Sequence, residues 1–512
     1  MHTDARTLND GTLIEGDLCI IGAGAAGISM ALEWVGTPYT VVLLEGGGFD
    51  MDMAVQDLYR GESIGEPYQV PLEVARLHYF GGTTGHWAGW CTPLDPIDFE
   101  KRDWVPHSGW PITREDLDPF YARAQSYVEL GPFEYDVDHY ERQDPTRKRL
   151  PLDADLVWTK MWQFSPPTRF GTRYREALVE APNVHLYTYA NVTEIEANEP
   201  ARAVNDLRAK TIDGKEHRVR ARYYVLACGA LQNARLLLAS NHQAPAGLGN
   251  DNDLVGRFFM EHFEMGSAQL MLAEPSTLPL YTSRFRGQLK PSGELALTAR
   301  AQQQQRILNG TASLRSGIFG EELTSFFQNF QRGVYRRRNS EQEGDEDDRP
   351  NWPTPSPEGQ QAYQMHSRAE QAPNPASRVV LGAEKDALGM PRAQLDWRMT
   401  ELDKRSMRVF YEVLGQEIGR SELGRVQLLD WLLEDDPVWP SFLGGGFHHM
   451  GTTRMHDDPK QGVVDPTCKV HSIDNLYAAG SSTFTTAGAA NPTLTLIAVS
   501  LRLSDHLKTR IG

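Results

Sequence analysis

The stretch that decides the fold is residues 17–27, which read DLCIIGAGAAG. An apolar run leads into Gly22, Gly24 and Gly27, which fit the pattern G-x-G-x-x-G. In a strand–turn–helix unit the first glycine permits the tight turn, the second lets a pyrophosphate approach the backbone, and the third lets the helix pack on the strand. The unpaired N–H groups at the start of that helix bind phosphate. The pattern therefore predicts a dinucleotide-binding unit.

Glu45 supports this prediction because it ends the next apolar run, YTVVLL over 39–44, and lies 18 residues after Gly27 (45 − 27). A carboxylate at that place can accept hydrogen bonds from the adenosine ribose hydroxyls. An acidic residue instead of an arginine argues against a 2′-phosphate and hence against NADP. The turn itself leaves open whether the nucleotide is NAD or FAD.

Composition restricts the class of protein further. The chain has 512 residues, of which 40% are hydrophobic and 23% charged, and these values suit two intertwined domains with a large core. A formal charge of −17 argues against nucleic acid or an anionic membrane surface as a partner. No apolar run approaches the roughly 20 residues that span a bilayer, and residues 1–10 are too polar for a secretory signal. We expect a cytoplasmic protein. Its four cysteines form no C-x-x-C pair, so no metal site is predicted.

Later segments extend the pattern of an α/β protein. The continuous apolar run over 223–228, followed by a helical stretch over 231–240, is typical of a buried parallel strand that returns to the nucleotide-binding sheet. Residues 263–317 alternate like an antiparallel sheet, which begins a second domain. Helices are predicted after the capping residue Thr113 and over about 403–419.

Two C-terminal motifs carry the chemistry. Residues 447–455 read FHHMGTTRM and residues 488–495 read GAANPTLT. Together with the N-terminal turn and the stretch GTTGHW over 82–87, they resemble the glucose–methanol–choline (GMC) family of FAD oxidoreductases. The motifs are most similar to those of the pyranose oxidase branch and of bacterial sugar dehydrogenases. The resemblance covers most of the chain except roughly residues 265–375.

The resemblance implies FAD as cofactor and an α/β fold in which a Rossmann-like FAD-binding domain is joined to an antiparallel-sheet substrate-binding domain. The FAD-binding domain would consist of residues 1–262, with a flavin-attachment loop near 81–91, and residues 441–512. The substrate-binding domain would span 263–440. Its charged, proline-rich segment predicts a flexible loop over 336–373, which is either a solvated surface loop or a lid or oligomerisation arm.

By the same resemblance, the catalytic residues fall on His448 and Asn491. Flavin-linked alcohol oxidation needs loss of the hydroxyl proton and hydride transfer to flavin N5, and the protein supplies a base and a hydrogen-bond donor. An imidazole titrates near neutrality, and an amide N–H can stabilise the developing alkoxide. Three different roles remain open. His449 could be the base, His448 could bind only backbone, and Asn491 could serve as a helix cap, since Asn followed by Pro is a good helix start.

Further residues are implied to contact FAD by their match to family motifs. They are Gly22, Gly24, Gly27, Glu45, Gly82, Thr83, His86, Trp87, Val192, Gly480, Ser481, Asn491, Pro492 and Thr493. Pyranose oxidases carry a flavin-linked histidine in a Ser-Thr-His-Trp run, of which this chain keeps only the last two residues. The resemblance therefore implies that His86 packs or hydrogen-bonds near the isoalloxazine, with covalent attachment as the alternative. Gly480 also stands where many relatives carry aspartate, which puts the contacts there in doubt.

The implied reaction is FAD-dependent oxidation of a secondary ring hydroxyl, at C2 or C3, of a sugar or glycoside to a ketosugar. The electron acceptor would be oxygen or another oxidant. An alternative within the class is a dehydrogenase of another polyol or alcohol that passes electrons to a quinone or protein acceptor. The residues are also compatible with an NAD-linked dehydrogenase or with a protein that binds flavin but catalyses no reaction. The sequence does not name the sugar or the oligomeric state.

Overall fold

The computed structural model describes residues 1–68, 70–282, 290–317, 359–434 and 438–512. Within them the strands are β1 (His2–Asp4), β2 (Leu13–Ile21), β3 (Val41–Leu44), β4 (Glu62–Ser63), β5 (Trp90–Cys91), β6 (Val157–Phe164), β7 (Val184–Thr188), β8 (Asn191–Ala197), β9 (Val204–Lys210), β10 (Glu216–Leu226), β11 (His262–Ser276), β12 (Ser292–Leu297), β13 (Gly310–Ser316), β14 (Gln360–Glu370), β15 (Arg378–Lys385), β16 (Pro391–Asp396), β17 (Gly424–Leu428) and β18 (Leu476–Ala478).

The helices of the same ranges are α1 (Ala25–Glu33), α2 (Met53–Gln56), α3 (Leu72–Ala75), α4 (Pro96–Phe99), α5 (Arg114–Tyr127), α6 (Val137–Gln143), α7 (Phe170–Arg173), α8 (Arg175–Glu180), α9 (Ala230–Ala239), α10 (Pro279–Thr282), α11 (Ala299–Gln305), α12 (Glu401–Arg420), α13 (Asp430–Leu433) and α14 (Pro492–Ile511). None of these helices is both long and apolar enough to cross a membrane. The predicted cytoplasmic location stays a prediction.

The first sheet is the nucleotide-binding sheet that the glycine turn predicts. Its order is β1-β7-β3-β2-β10-β9-β8, and β18 pairs with the end of β10. The pairs β7–β3, β3–β2, β2–β10 and β10–β18 are parallel, whereas β9 pairs antiparallel with both its neighbours. Parallel strands are covered on both faces, which explains the continuous apolar runs. The α/β fold class is confirmed.

The second sheet is antiparallel and has the order β17-β11-β14-β13-β12-β6-β5. Strands β5 and β6 come from residues 90–91 and 157–164, far before the domain boundary predicted at 263. Residues of the predicted FAD-binding segment 1–262 therefore also build this sheet. Strand β6 was missed because its sequence, VWTKMWQF, mixes apolar residues with Lys160 and Gln163, which are buried.

The loop predicted over 336–373 divides into two parts. Residues 336–358 lie outside the described residues. Residues 360–370 form strand β14, which is hydrogen-bonded to β11 on one side and to β13 on the other. Its polar side chains concealed the strand in the sequence, because Ser367 and Arg368 are buried against partners on neighbouring strands.

Two predicted helices are confirmed, and the first of them begins at the predicted capping residue. The side chain of Thr113 accepts the N–H of Asp116, and the Asp116 carboxylate accepts the N–H of Thr113, which is a capping box for α5. Helix α12 extends the predicted span 403–419 by a few residues and begins with a similar box between Thr400 and Asp403. Helix α14 packs against α1 and α5 and begins directly after Asn491.

Candidate active site

The turn after β2 has the geometry of a dinucleotide-binding turn. Gly22 has φ +104°, and a Cβ there would lie 2.7 Å from the carbonyl oxygen of Ala227. A Cβ on Gly27 would lie 1.9 Å from the oxygen of Gly22, so only glycine lets α1 approach the strand. A Cβ on Gly24, at the start of α1, would meet nothing within 4 Å. The open space at the helix N-terminus fits a pyrophosphate.

Two further glycine turns approach the same helix start. The N–H of Gly81 donates to the oxygen of Ala23 at 2.8 Å, and a Cβ on Gly82 would lie 3.1 Å from Cα of Gly24. Gly480, with φ +83°, faces α1, where its Cβ would lie 3.6 Å from Cβ of Ala26. These segments leave a backbone-lined cradle around the N-terminus of α1, and its residues fit the diphosphate of FAD.

Glu45 is buried at the edge of that cradle. Its Oε2 accepts the N–H of Ala23 at 3.0 Å, and its Oε1 accepts the N–H of Gly47 at 2.9 Å. Burial raises the pKa of the carboxyl, although these amides oppose the shift. Glu45 thus links the end of β3 to the glycine turn. Each oxygen keeps a second lone pair for an adenosine ribose hydroxyl.

The remaining predicted contacts lie on separate elements. Val192 belongs to β8, and the Trp87 ring N–H donates to the oxygen of Thr168 at 2.9 Å. Thr83 and His86 lie in one short turn, in which the N–H of His86 donates to the oxygen of Thr83 at 3.2 Å. Pro492 and Thr493 form the first turn of α14. The roles of these residues in binding FAD stay predictions.

His448 and Asn491 meet, although 43 residues separate them (491 − 448). Nε2 of His448 lies 3.2 Å from Nδ2 of Asn491. Oδ1 of Asn491 accepts the ring N–H of Trp162 at 3.2 Å, and because an indole nitrogen can only donate, this bond fixes the orientation of the amide. The Asn491 side chain makes no capping bond to α14. Its amide N–H groups therefore face His448 and the space beside it.

His262 determines which nitrogen of His448 carries the hydrogen. Nε2 of His262 lies 2.9 Å from the oxygen of Gly488 and 3.2 Å from that of Ala487, and carbonyl oxygens only accept, so this nitrogen is protonated. Nδ1 of His262 must then accept from Nδ1 of His448, which lies 2.9 Å away. Burial lowers the pKa of His448 to about 3 and that of His262 to about 4, so both rings are neutral at pH 7. Nε2 of His448 is therefore the unprotonated nitrogen, and its lone pair accepts an N–H of Asn491 at 3.2 Å.

An ion pair lies beside this histidine pair. Oε1 of Glu264 is 3.7 Å from Nδ1 of His448 and accepts the Arg368 Nε–H at 2.8 Å. Burial would raise the pKa of Glu264, but the Arg368 charge outweighs it and holds the pKa at about 2. The guanidinium of Arg368 also lies over the rings of Trp90, at 4.6 Å, and Trp162, at 5.4 Å. The negative charge of Glu264 raises the pKa of His448 against the effect of burial and so favours an imidazolium there.

His449 faces a different cluster from its neighbour. Its Nε2 lies 2.9 Å from the hydroxyl of Tyr68, and its ring is buried. The structure thus brings His448, and not His449, to Asn491. Sequence reasoning missed Trp162, His262, Glu264 and Arg368. The signal for two of them was the spacing i, i+2 of His262 and Glu264, which places both on one face of a strand.

Two family models match parts of this chain. The family model described as GMC oxidoreductase matches residues 373–500, and the one described as FAD dependent oxidoreductase matches residues 17–246. A 2-methyl-1,2-propanediol dehydrogenase of Mycolicibacterium austroafricanum is 24% identical over 97% of this chain and 96% of its own length. A C-glycoside 3-oxidase of Arthrobacter globiformis is 27% identical over 82% of this chain and 72% of its own length.

A solved structure shows the same fold. A formate oxidase superposes with a TM-score of 0.57 at 16% sequence identity, covering 98% of this chain and 99% of its own. This coverage includes both the parallel and the antiparallel sheet of this chain, so the likeness extends over the fold as a whole.

Proposed function

The chain belongs to the GMC family of FAD-dependent oxidoreductases, which act on CH–OH groups, and from this premise we propose that it oxidises a secondary ring hydroxyl, at C2 or C3, of a sugar or glycoside to a ketosugar. The observation that carries the proposal is the pairing of an unprotonated imidazole nitrogen with an amide donor. Nε2 of His448 and Nδ2 of Asn491 lie 3.2 Å apart, and each is fixed by a partner on its far side.

A substrate hydroxyl has the hydrogen-bonding groups to replace the direct bond between these two atoms. Its O–H would donate to Nε2 of His448, while its oxygen would accept from Nδ2 of Asn491. When bound, FAD supplies the acceptor for the hydride that leaves the carbinol carbon. His448 takes the hydroxyl proton, and the electron pair of the broken O–H bond forms the carbonyl. Asn491 stabilises the oxygen while it is negatively charged, and Glu264 stabilises the imidazolium.

Two observations support a sugar or glycoside as the substrate class. The related C-glycoside 3-oxidase takes a glycoside by its name. Near His448 lie the carboxylate of Glu264, whose side chain is 30% exposed, and, beside its partner Arg368, the partly exposed indole of Trp90. Carboxylates accept hydrogen bonds from hydroxyl groups, and indoles cover the apolar faces of a sugar ring.

The FAD contacts named from the sequence and the division into domains belong to the same proposal. FAD would lie with its diphosphate at Gly24, Gly82 and Gly480 and its adenosine ribose at Glu45. Ser481 connects this region to the reacting groups, since its hydroxyl donates to the oxygen of His449 at 2.7 Å. The FAD-binding domain would comprise 1–262 and 441–512. The substrate-binding domain would comprise 263–440 together with β5 and β6.

A second candidate is a dehydrogenase of another polyol or alcohol that passes electrons to a quinone or protein acceptor. It is favoured by a relative that spans almost the whole chain, a 2-methyl-1,2-propanediol dehydrogenase. The same His448–Asn491 pair would serve it. The two candidates differ in the substrate that reduces the flavin and in the oxidant that restores it.

The deciding experiment is an anaerobic flavin spectrum, titrated with monosaccharides, glycosides, diols and simple alcohols. Bleaching by sugars or glycosides alone supports the first candidate, and bleaching by diols or alcohols alone supports the second. A flavin that none of them bleaches contradicts both. Oxygen consumption compared with dye reduction then identifies the class of electron acceptor.

The role of His448 is tested in the same experiment. His448→Ala should retain FAD but slow flavin reduction by about two to four orders of magnitude, as expected for loss of a general base. His471→Ala is a matched control, since Nε2 of His471 donates to a backbone oxygen, that of His456, at 2.8 Å. Equal rates in wild type and His448→Ala would remove His448 from the mechanism.

A further inference from the structure

We propose that Glu261 is a positioning residue for the reaction: one oxygen of its carboxylate holds the segment that carries His448 against the strand that carries His262. The proposal rests on the proposed function, because it assigns Glu261 a part in presenting His448 to the substrate. Glu261 contributes no atom to the reacting pair itself. Its effect is to hold the imidazole rings of His448 and His262 at hydrogen-bonding distance from each other.

The hydrogen bonds of Glu261 converge on both histidines. Its Oε1 accepts the backbone N–H of His448 at 2.7 Å and that of His262 at 2.9 Å. Its Oε2 accepts the hydroxyl of Tyr68 at 2.5 Å. One oxygen atom therefore joins two residues that are 186 positions apart in the chain. These are the two residues whose rings lie 2.9 Å from each other at Nδ1.

The backbone around His448 shows why a side chain is needed there. Met260 and Met450 exchange two N–H···O bonds at 3.1 Å, and the N–H of Gly446 donates to the oxygen of His262 at 3.2 Å. Between these bonds Phe447 has φ +59°, in the left-handed region. The regular ladder is interrupted at this point, and the N–H of His448 donates to the Glu261 carboxylate instead of a backbone oxygen.

The packing at Gly445 leaves room for this carboxylate. A Cβ on Gly445 would lie 2.8 Å from Cγ and 3.0 Å from Cδ of Glu261. Glycine at this position therefore lets the segment before His448 pass directly over the Glu261 side chain. The Glu261 side chain therefore meets this segment at two places. It packs against Gly445, and it accepts the backbone N–H of His448.

The burial of Glu261 argues against a role as an ordinary ion-pair residue. Its side chain is inaccessible to solvent, and its hydrogen-bond donors are two backbone amides and a phenol, all uncharged. Burial raises its pKa to about 7, although these donors oppose the shift. A buried carboxyl group destabilises the fold unless it is well hydrogen-bonded. The position of Glu261 is explained if the site needs one oxygen atom here that accepts both backbone N–H groups.

The test compares Glu261→Ala with Glu261→Gln. The glutamine carbonyl can still accept both amides, while its NH₂ group donates to Tyr68, so this variant should rescue most of the function. In Glu261→Ala the limiting rate constant of flavin reduction should fall about 10- to 100-fold, with little change in the apparent Kd, because His448 is misplaced and the substrate pocket is not. The reductant is the panel sugar or alcohol that bleaches the wild-type flavin.

A second readout does not depend on turnover. Hydrogen–deuterium exchange of the peptide spanning 446–450 should be faster in Glu261→Ala and near wild type in Glu261→Gln, since the His448 amide loses its acceptor only in the former. If no compound bleaches the wild type, the proposed function fails, and the exchange result still decides whether Glu261 holds His448. Unchanged exchange, or an unchanged rate constant in Glu261→Ala, overturns the proposal.

Two further variants separate positioning from general destabilisation. Asp386 is a control for the loss of a buried carboxylate, because its Oδ1 also accepts two backbone N–H groups, from Leu388 at 2.9 Å and Met390 at 3.1 Å; unlike Glu261, it also pairs with Arg235 through Oδ2, at 2.6 Å. Asp386→Ala should lower the Tm but not the rate constant; an equal fall in rate would overturn the proposal. If Glu261→Ala does not fold, Gly445→Ala tests the same contact, and it should accelerate exchange at 446–450 and slow flavin reduction.

Discussion

Nδ1 of His448 lies 2.9 Å from Nδ1 of His262, so one of these neutral rings must donate to the other. The carbonyl oxygens at Nε2 of His262 make His448 the donor. The nitrogen of His448 that faces Asn491 is therefore a proton acceptor before any substrate arrives. The site selects the tautomer that a base requires, and it does so with a second histidine in place of the carboxylate that often has this role.

Replacement of His262 should disturb this tautomer. We expect His262→Phe, which keeps a ring in the cavity, to retain FAD but to slow flavin reduction at least about tenfold, because His448 can then turn or carry its hydrogen on Nε2. The measurement is anaerobic stopped-flow reduction. His217→Phe is the control, since His217 is also fully buried and contacts the oxygen of Ala5 at 3.0 Å. Equal rates in the wild type and His262→Phe would show that the tautomer does not depend on His262.

Trp162 should control the orientation of the Asn491 amide. Trp162→Phe keeps an aromatic ring but removes the N–H that Oδ1 of Asn491 accepts at 3.2 Å. One lost hydrogen bond of this kind corresponds to about 1 kcal/mol, so we expect a several-fold slower flavin reduction and not a complete loss. Trp104→Phe is the control, because the Trp104 ring N–H binds a backbone oxygen, that of Ile307, at 3.0 Å. A Trp162→Phe variant as fast as wild type would contradict the assigned amide orientation.

Two neighbouring glycines of the cofactor cradle should differ in how their replacement by alanine affects folding. Gly27→Ala should prevent folding or abolish FAD binding, since the new Cβ would lie 1.9 Å from a backbone oxygen. Gly24→Ala should fold with an unchanged Tm as apoprotein, because its Cβ meets nothing within 4 Å, and yet bind FAD more weakly, because the methyl group occupies the place of the diphosphate. Thermal melts and FAD titrations measure both effects.

The control for the glycine pair is Gly131→Ala, whose Cβ would have one neighbour, at 3.8 Å, and which should change neither quantity. Wild-type FAD affinity in Gly24→Ala would show that the diphosphate does not lie at the start of α1. A stable, FAD-loaded Gly27→Ala would contradict the close approach of α1 to the turn.

The parts of the fold that depend on neighbouring residues could be predicted from the sequence. The glycine turn, Glu45 after β3 and the cap of α5 are local patterns, and the structure contains each of them. The link between His448 and Asn491 came from resemblance, and the structure brings the two side chains together. Their catalytic roles and the FAD contacts stay predictions.

The parts that the sequence did not reveal depend on contacts between distant segments. Glu261 binds His448 across 187 positions, and Trp162 binds Asn491 across 329. Strand β14 was predicted as loop because its polar residues look exposed, and Arg368 is buried only because Glu264 and Glu294 neutralise it. A single sequence contains no signal for which polar residues meet, whereas the spacing of His262 and Glu264 on one strand face could have been noticed.

The charge of Glu264 should assist proton transfer to His448. Glu264→Gln removes a negative charge 3.7 Å from Nδ1, which lowers the pKa of His448 further and destabilises the imidazolium formed in the reaction. We expect flavin reduction to slow about tenfold, in line with a lost charge interaction of about 1–2 kcal/mol. Glu294→Gln is the matched control, because Glu294 also pairs with Arg368, at 3.1 Å. A similar loss in both variants would show that the effect comes from Arg368 and not from His448.

The pH profile of flavin reduction should show no titration of His448 near neutrality. Burial lowers the pKa of its imidazolium to about 3, and only the neutral ring accepts a proton, so activity due to this group is present above that pKa and is lost as the pH falls through it. Between pH 8 and pH 6 the limiting rate constant should therefore not fall with the ordinary histidine pKa of about 6.5. Stopped-flow reduction across this range measures the profile. An acid limb near pH 6.5 in the wild type that is absent from the residual activity of His448→Ala would show that His448 titrates normally and would contradict the neutral imidazole with a lowered pKa described above.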